Sequence, residues 1–170
     1  ATINATLESV KWADEILVVD SFSTDKTLDI CRGYTDRIVQ HGYENSARQK
    51  NWAIPQCRHE WVLIVDTDEV LEAGLAEEIA GALASVRPDV DAFRIPRKNL
   101  VYGRWIKHGD KYPDYQERLF RRDKGRYSDR EVHAHLEVPG AVGTLGRHFL
   151  HNGFKDMSTW LIKSARYTTY

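Results

Sequence analysis

Asp66, Asp68 and Glu69 place three carboxylates within four residues, directly behind the apolar run Glu60 to Asp66 (EWVLIVD). Such a cluster repels itself unless a cation sits among the groups or water screens them well. Donors that are all oxygen select a hard ion, Mg²⁺ or Mn²⁺, which takes one or two carboxylates and completes its shell with phosphate oxygens and water. A second apolar run, Glu15 to Asp20 (EILVVD), also ends in a carboxylate and is followed by the polar turn Ser21-Phe22-Ser23-Thr24-Asp25. Asp20 suits acceptance of hydrogen bonds from a base or a ribose, whereas Thr24 and Asp25 suit helix capping. Arg48, Lys50 and Asn51 precede the Asp66 run and are placed to reach a uracil or a phosphate. Structural alternatives exist for each group. Asp68 would cap a helix starting near Glu72, with Glu69 favouring its positive end, and Arg48 to Asn51 would be a solvated face.

These residues need elements to hold them. Thr2 to Lys11 has Ile3, Leu7 and Val10 on one helical face. Glu15 to Asp20 and Glu60 to Asp66, apolar on both faces, suit central strands of a parallel sheet. Asp25 to Tyr34 and Asn45 to Ile54 read as helices, the second stopped by Pro55, with a short strand Arg37 to Gln40 between them. Glu72 to Val86 carries Leu75, Ile79, Ala82, Leu83 and Val86 at helical spacing, and Ala92 to Pro96 reads as another strand. Strands alternating with helices predict an α/β sheet with right-handed crossovers. In open sheets of this kind ligands bind beyond the carboxyl ends of the strands, which sets Asp20 and Asp66 on one edge.

Beyond Arg97 the pattern changes to mixed aromatic, basic and glycine residues. Arg118 to Arg121, Val132 to Val138 and Thr144 to Leu150 are expected as less regular, antiparallel strands, and Asp156 to Thr169 as a closing helix. Tyr102, Trp105, Tyr112 and Tyr115 would form either a sugar-stacking wall or ordinary packing. The closing helix, with Trp160, Lys163 and Arg166, would either pack on the sheet or rest on an anionic membrane surface.

At 170 residues the chain fits one domain. Lys+Arg 24 against Asp+Glu 25 gives a net charge of −1, which argues against a nucleic-acid partner. Cys31 and Cys57 form no metal-ligand pair and are expected as reduced thiols in a cytoplasmic protein.

The segments ILVVDSFSTDKT, ENSARQKNWAI and EWVLIVDTDEVL, in that order, resemble family 2 glycosyltransferases of the GT-A fold. RIPRKNLVYGRWIKHG, DYQERLFRR and REVHAHLEV are similar to the bacterial lipopolysaccharide-core β-glucosyltransferase group. The resemblance implies a GT-A mixed sheet flanked by helices, with a nucleotide-binding half over about 1–97 and an antiparallel acceptor-side half over about 98–170. It implies an inverting, Mn²⁺- or Mg²⁺-dependent transfer from a nucleotide sugar, a UDP-hexose, to a glycan or lipid-linked acceptor. Asp20 would contact the nucleoside, Asp66 the ribose side, and Asp68 the metal on the diphosphate. Family members usually begin with one more strand, so the 170 residues are expected to lack it. The enzyme would work in the cytoplasm, with peripheral contact at the inner face of the membrane.

An inverting transferase needs a base to deprotonate the acceptor hydroxyl. Where related sequences carry VHE this chain has Val132-His133-Ala134, so Glu131 and His133 are the nearest replacements, with Asp114 and Glu117 behind them. Ala134 also admits a sugar-nucleotide-binding protein without transferase activity. VLIVDTDEV admits a phosphohydrolase of the haloacid-dehalogenase type, although that motif normally sits on the first strand.

Overall fold

A computed structural model describes residues 2–101, 103–108, 112–128 and 134–154. Helix α1 (Thr2–Val10) leads into β1 (Val18–Asp20), α2 (Thr27–Arg32), β2 (Ile38–Gln40) and α3 (Ser46–Ala53), which a 3₁₀ turn at Ile54–Gln56 closes where Pro55 removes a donor. Asn45 caps α3 by accepting from the Arg48 N–H at 2.9 Å. Then follow β3 (Trp61–Leu63), β4 (Glu69–Leu71), α4 (Leu75–Ala84), β5 (Val90–Val101), β6 (Arg104–Trp105) and β7 (Asp114–Arg121). The chain continues through β8 (Arg126–Tyr127), β9 (Leu136–Glu137), β10 (Ala141–Thr144) and β11 (Phe149–Phe154). This is the expected mixed α/β architecture.

Strand β5 is the spine. It pairs antiparallel with β7 on one side, and β7 carries β3 at the sheet edge. On its other side β10 and then β11 run parallel to it, and β11 carries β4 antiparallel. The region expected as antiparallel strands over Thr144 to Leu150 is mixed: β10 and β11 run parallel to β5, while β11 is antiparallel to β4. Pro96 falls where β10 gives way to β11 along β5, so its missing N–H interrupts no continuous ladder on that side.

Alternation along the sheet divides the core. Phe93, Ile95, Leu119 and Phe149 pack with Leu75 and Ile79 of α4 and Val10 of α1. Ala92, Phe120 and Val62 pack on the opposite face with Ala47, Ile54, Tyr127 and Leu136. β1 and β2 form a separate parallel pair. Among the described residues β1 pairs only with β2, and β3 only with β7, so each presents an edge.

Two boundaries differ from the sequence reading where they matter most. The strand expected to run to Asp66 stops at Leu63, and the helix expected from Glu72 starts only at Leu75, after β4 has paired with β11 over Glu69–Leu71. Helix α4 starts at Leu75 behind Gly74, whose φ of 85° is a conformation that favours glycine. Asp68 is thus the residue before a strand, and the capping alternative does not apply. The expected helix over 156–169, together with Glu131, His133 and Tyr102, lies outside the described residues.

Candidate functional site

Glu69 corrects the simplest reading of the acidic cluster. Its side chain is fully buried, and its charge is met by guanidinium groups rather than by water. Arg118 Nη2 lies 3.2 Å and Arg97 Nη1 3.3 Å from Glu69 Oε1, while Oε2 accepts from the Asp66 N–H at 3.2 Å. The carboxylate therefore ties the turn at 66–69 to β5 and β7. It is not placed to bind a metal.

Asp66 also faces cations. Arg118 Nη2 donates to its Oδ2 at 2.6 Å, and Lys50 Nζ lies 3.3 Å from its Oδ1. Burial pushes the Asp66 carboxyl up, but Arg118 and Lys50 outweigh it and hold the group at about 2. Burial lowers the Lys50 ammonium, helped by repulsion from Arg118 and resisted by Asp66. The ammonium also lies 5.1 Å over the ring of Tyr127, whose own phenol burial raises to about 12. Lys50 and Arg118 thus converge on the turn that carries Asp66.

Asp68 has a different environment. His151 Nε2 on β11 lies 3.6 Å from its Oδ2, and the backbone of Asn152 donates to its carbonyl at 3.1 Å. The amide of Asn99 fixes the His151 ring. Asn99 donates through Nδ2 to Asp114 at 2.7 Å, so its oxygen faces His151 Nδ1 at 2.8 Å, and Nδ1 must be the donor. In the neutral ring Nε2 is then the lone-pair nitrogen, turned toward a carboxylate oxygen. Two electron-rich donors facing one another across 3.6 Å suit a divalent cation between them. The sequence reading missed His151; its only signal was a histidine one residue past the predicted strand Thr144 to Leu150, without a spacing that linked it to Asp68.

The alternating charges continue. Arg97 bridges Glu69 and Asp114, and Asp114 accepts in addition from Asn99 and Gln116. Burial raises the Asp114 carboxyl, but these donors outweigh it and leave it below the usual range. A carboxylate so engaged is a poor proton acceptor, which weighs against Asp114 as the base. Glu117 lies on the same strand, its carbonyl accepting from the Tyr127 hydroxyl at 3.4 Å.

Of the remaining predicted residues, Asp20 ends β1 and is buried. Burial raises its carboxyl, and bonds from Ser23 (3.1 Å) and Gln40 (3.0 Å) more than compensate, lowering it. Asn51 exchanges two 2.8 Å bonds with the backbone of Tyr127, so its amide joins α3 to β8. Arg48 is exposed and pairs with Glu44. Trp105 and Tyr112 meet edge-to-face at 4.9 Å, whereas Tyr115 lies under the Arg94 guanidinium at 4.6 Å, so these three described aromatics do not form one wall. Cys31 is buried and Cys57 half-buried, both as free thiols. No described helix is long and apolar enough to cross a membrane.

Residues 1–142 match the sequence profile of Glycosyl transferase family 2. The lipopolysaccharide core biosynthesis glycosyltransferase LpsC of Rhizobium meliloti is 30% identical over 99% of this chain and 65% of its own length. A glycosyltransferase of Rickettsia bellii is 39% identical over 52% of this chain and 31% of its own. The chain thus spans less than two thirds of either relative. Among solved structures, S. aureus TarS 1–349 in complex with UDP-GlcNAc superposes with a TM-score of 0.62 at 19% identity, covering 92% of this chain and 56% of that one. The fold is the same mixed α/β fold, and the chain belongs to glycosyl transferase family 2.

Proposed function

We propose that the protein transfers a hexose, with inversion, from a UDP-sugar to a glycan or lipid-linked acceptor in cell-surface polysaccharide synthesis. The reading rests on family membership, on the lipopolysaccharide-core role named for LpsC, and on the nucleotide sugar held by the TarS relative. The single observation that carries it to these residues is the pairing of Asp68 with His151 beside the cation-flanked Asp66.

In this reading Asp20 receives the nucleoside and Asp66 the ribose side, with Lys50 close enough to favour the diphosphate. Mn²⁺ or Mg²⁺ fits Asp68 and His151, and when bound it neutralises charge on the leaving diphosphate. Arg118 and Glu69 hold the 66–69 turn in place, and Asn99 and Asp114 orient the His151 ring. Glu131 or His133 takes the acceptor proton as the acceptor oxygen attacks the anomeric carbon. The carbon–oxygen bond to the diphosphate breaks on the opposite side, which gives a β-configured product. The work would be done at the cytoplasmic face of the membrane. Family membership displaces the phosphohydrolase alternative.

UDP release from UDP-hexoses, measured with Mn²⁺ and a lipopolysaccharide-core acceptor, tests the reading. Release should require acceptor and vanish in Asp68→Asn. UDP binding without any release across donors would favour the binding-protein alternative.

A further inference from the structure

Trp105 on β6 carries an indole N–H without an acceptor. Its Nε1 is buried and has no hydrogen-bond partner. An indole nitrogen only donates, and a buried donor left unpaired is rare enough in native folds to need a reason. The same ring is crowded by cations. Lys98 Nζ lies 4.9 Å and Lys107 Nζ 4.4 Å from its centroid.

The acceptors around the ring are already engaged. Glu72 pairs through Oε1 with Lys98, and its Oε2 faces His148 Nδ1 at 2.8 Å. A carboxylate only accepts, so Nδ1 carries the proton, and in the neutral ring Nε2 accepts from the Tyr112 hydroxyl at 3.0 Å. Lys107 is exposed and meets no carboxylate among the described residues. Two donors are therefore left over on one indole, the ring N–H and the Lys107 ammonium. What completes them must bring acceptor atoms and negative charge, which describes an oxyanion. Lys107 lies over the ring on a flexible four-carbon stem, so it can lift to admit one.

The position of the cluster separates it from the diphosphate of a donor. Lys98 and Asn99 are successive residues of β5, and successive side chains of a strand leave opposite faces of the sheet. Asn99 orients His151 toward Asp68, whereas Lys98 reaches the indole. The two unpaired donors thus lie across β5 from the proposed metal.

We propose that Trp105 and Lys107 form a subsite for an oxyanion, a phosphate or a carboxylate, carried by the acceptor. Assigning the anion to the acceptor rests on the transferase reading; the subsite itself does not.

The test is proton–nitrogen correlation NMR on the native protein, titrated with inorganic phosphate, with acetate and with sodium chloride at equal ionic strength. The five tryptophans each give an indole N–H resonance, and Trp105→Phe identifies the one in question. Phosphate or acetate should move that resonance downfield and saturably, as a new hydrogen bond does, while chloride leaves it in place. The tighter of the two tells which oxyanion the acceptor carries. Lys107→Gln should weaken the binding about 10-fold or more, and should raise the acceptor KM for UDP release by a similar factor with UDP affinity unchanged. A Trp105 resonance that neither oxyanion moves, or that moves equally in Lys107→Gln, overturns the subsite. An acceptor KM unaltered in Lys107→Gln overturns its assignment to the acceptor. Oxyanion binding without UDP release from any donor leaves the subsite standing and sinks the transferase reading instead.

Discussion

Arg118→Met tests whether the buried charge network holds the site together. Arg118 is 5% exposed and has two carboxylate partners, Asp66 at 2.6 Å and the fully buried Glu69 at 3.2 Å. Methionine fills much of the same volume, so the loss is chiefly electrostatic. Asp66 is 39% exposed and keeps Lys50, so it tolerates the change. Glu69 is fully buried and is left with the Arg97 guanidinium and the Asp66 N–H. Removing one partner of a buried pair costs about 3–5 kcal/mol, because the other charge stays buried and unpaired. For a domain of this size that lowers the Tm by roughly 6–20 °C. Adding Glu69→Leu removes the stranded charge, so the double variant should recover at least half the loss, even though Arg97 then keeps only Asp114. Urea unfolding monitored by tryptophan fluorescence gives all three stabilities. A single-variant cost below about 1 kcal/mol would refute the argument. So would a double variant less stable than either single one.

Further outcomes follow from the same geometry. The folded Asp66 carboxyl sits at about 2 against an ordinary 3.8, so its contribution is fully present above pH 4 and is lost as pH falls through 2. Because the group is partly exposed, the contribution is on the order of 1 kcal/mol after solvent screening. Acid unfolding of Asp66→Asn, compared with the native protein, should lack that part of the slope between pH 4 and 2; identical slopes would contradict the assignment. Asn99→Leu should weaken Mn²⁺ binding about 10- to 100-fold by releasing the His151 ring, with metal-free UDP binding unaltered. Mn²⁺ electron paramagnetic resonance reads this directly, and unchanged metal affinity would remove Asn99 from the site.

The sequence made the sheet and its carboxylate-ended turns legible because apolar runs and helical spacing are local signals. Asp20 could be placed at a strand end for that reason, whereas Asp66 lies three residues beyond the end of β3. What escaped depends on pairing between distant segments. Glu69 lies three residues from Asp66, and only the register of β4, β5 and β7 shows that it is buried against Arg97 and Arg118. A local reading of DTDE can see three acids but not the two guanidiniums beneath them. His151 reaches Asp68 because β11 pairs with β4 and β5 at once, an arrangement that no spacing in the sequence encodes. Glu72 shows the limit of helical periodicity. It begins an amphipathic pattern, yet β4 ends just before it, its N–H donates to the His148 carbonyl, and the helix starts only after Gly74.

The central claim is that Asp68 joins metal binding to nucleotide binding. Calorimetric titration of UDP into the native protein and into Asp68→Asn, each with and without Mn²⁺, tests it most directly. The native protein should bind UDP about 10-fold or more tightly with Mn²⁺ than without, and Asp68→Asn should lose that gain while keeping its Tm and its weak metal-free affinity. Equal UDP affinity in all four titrations would contradict the account.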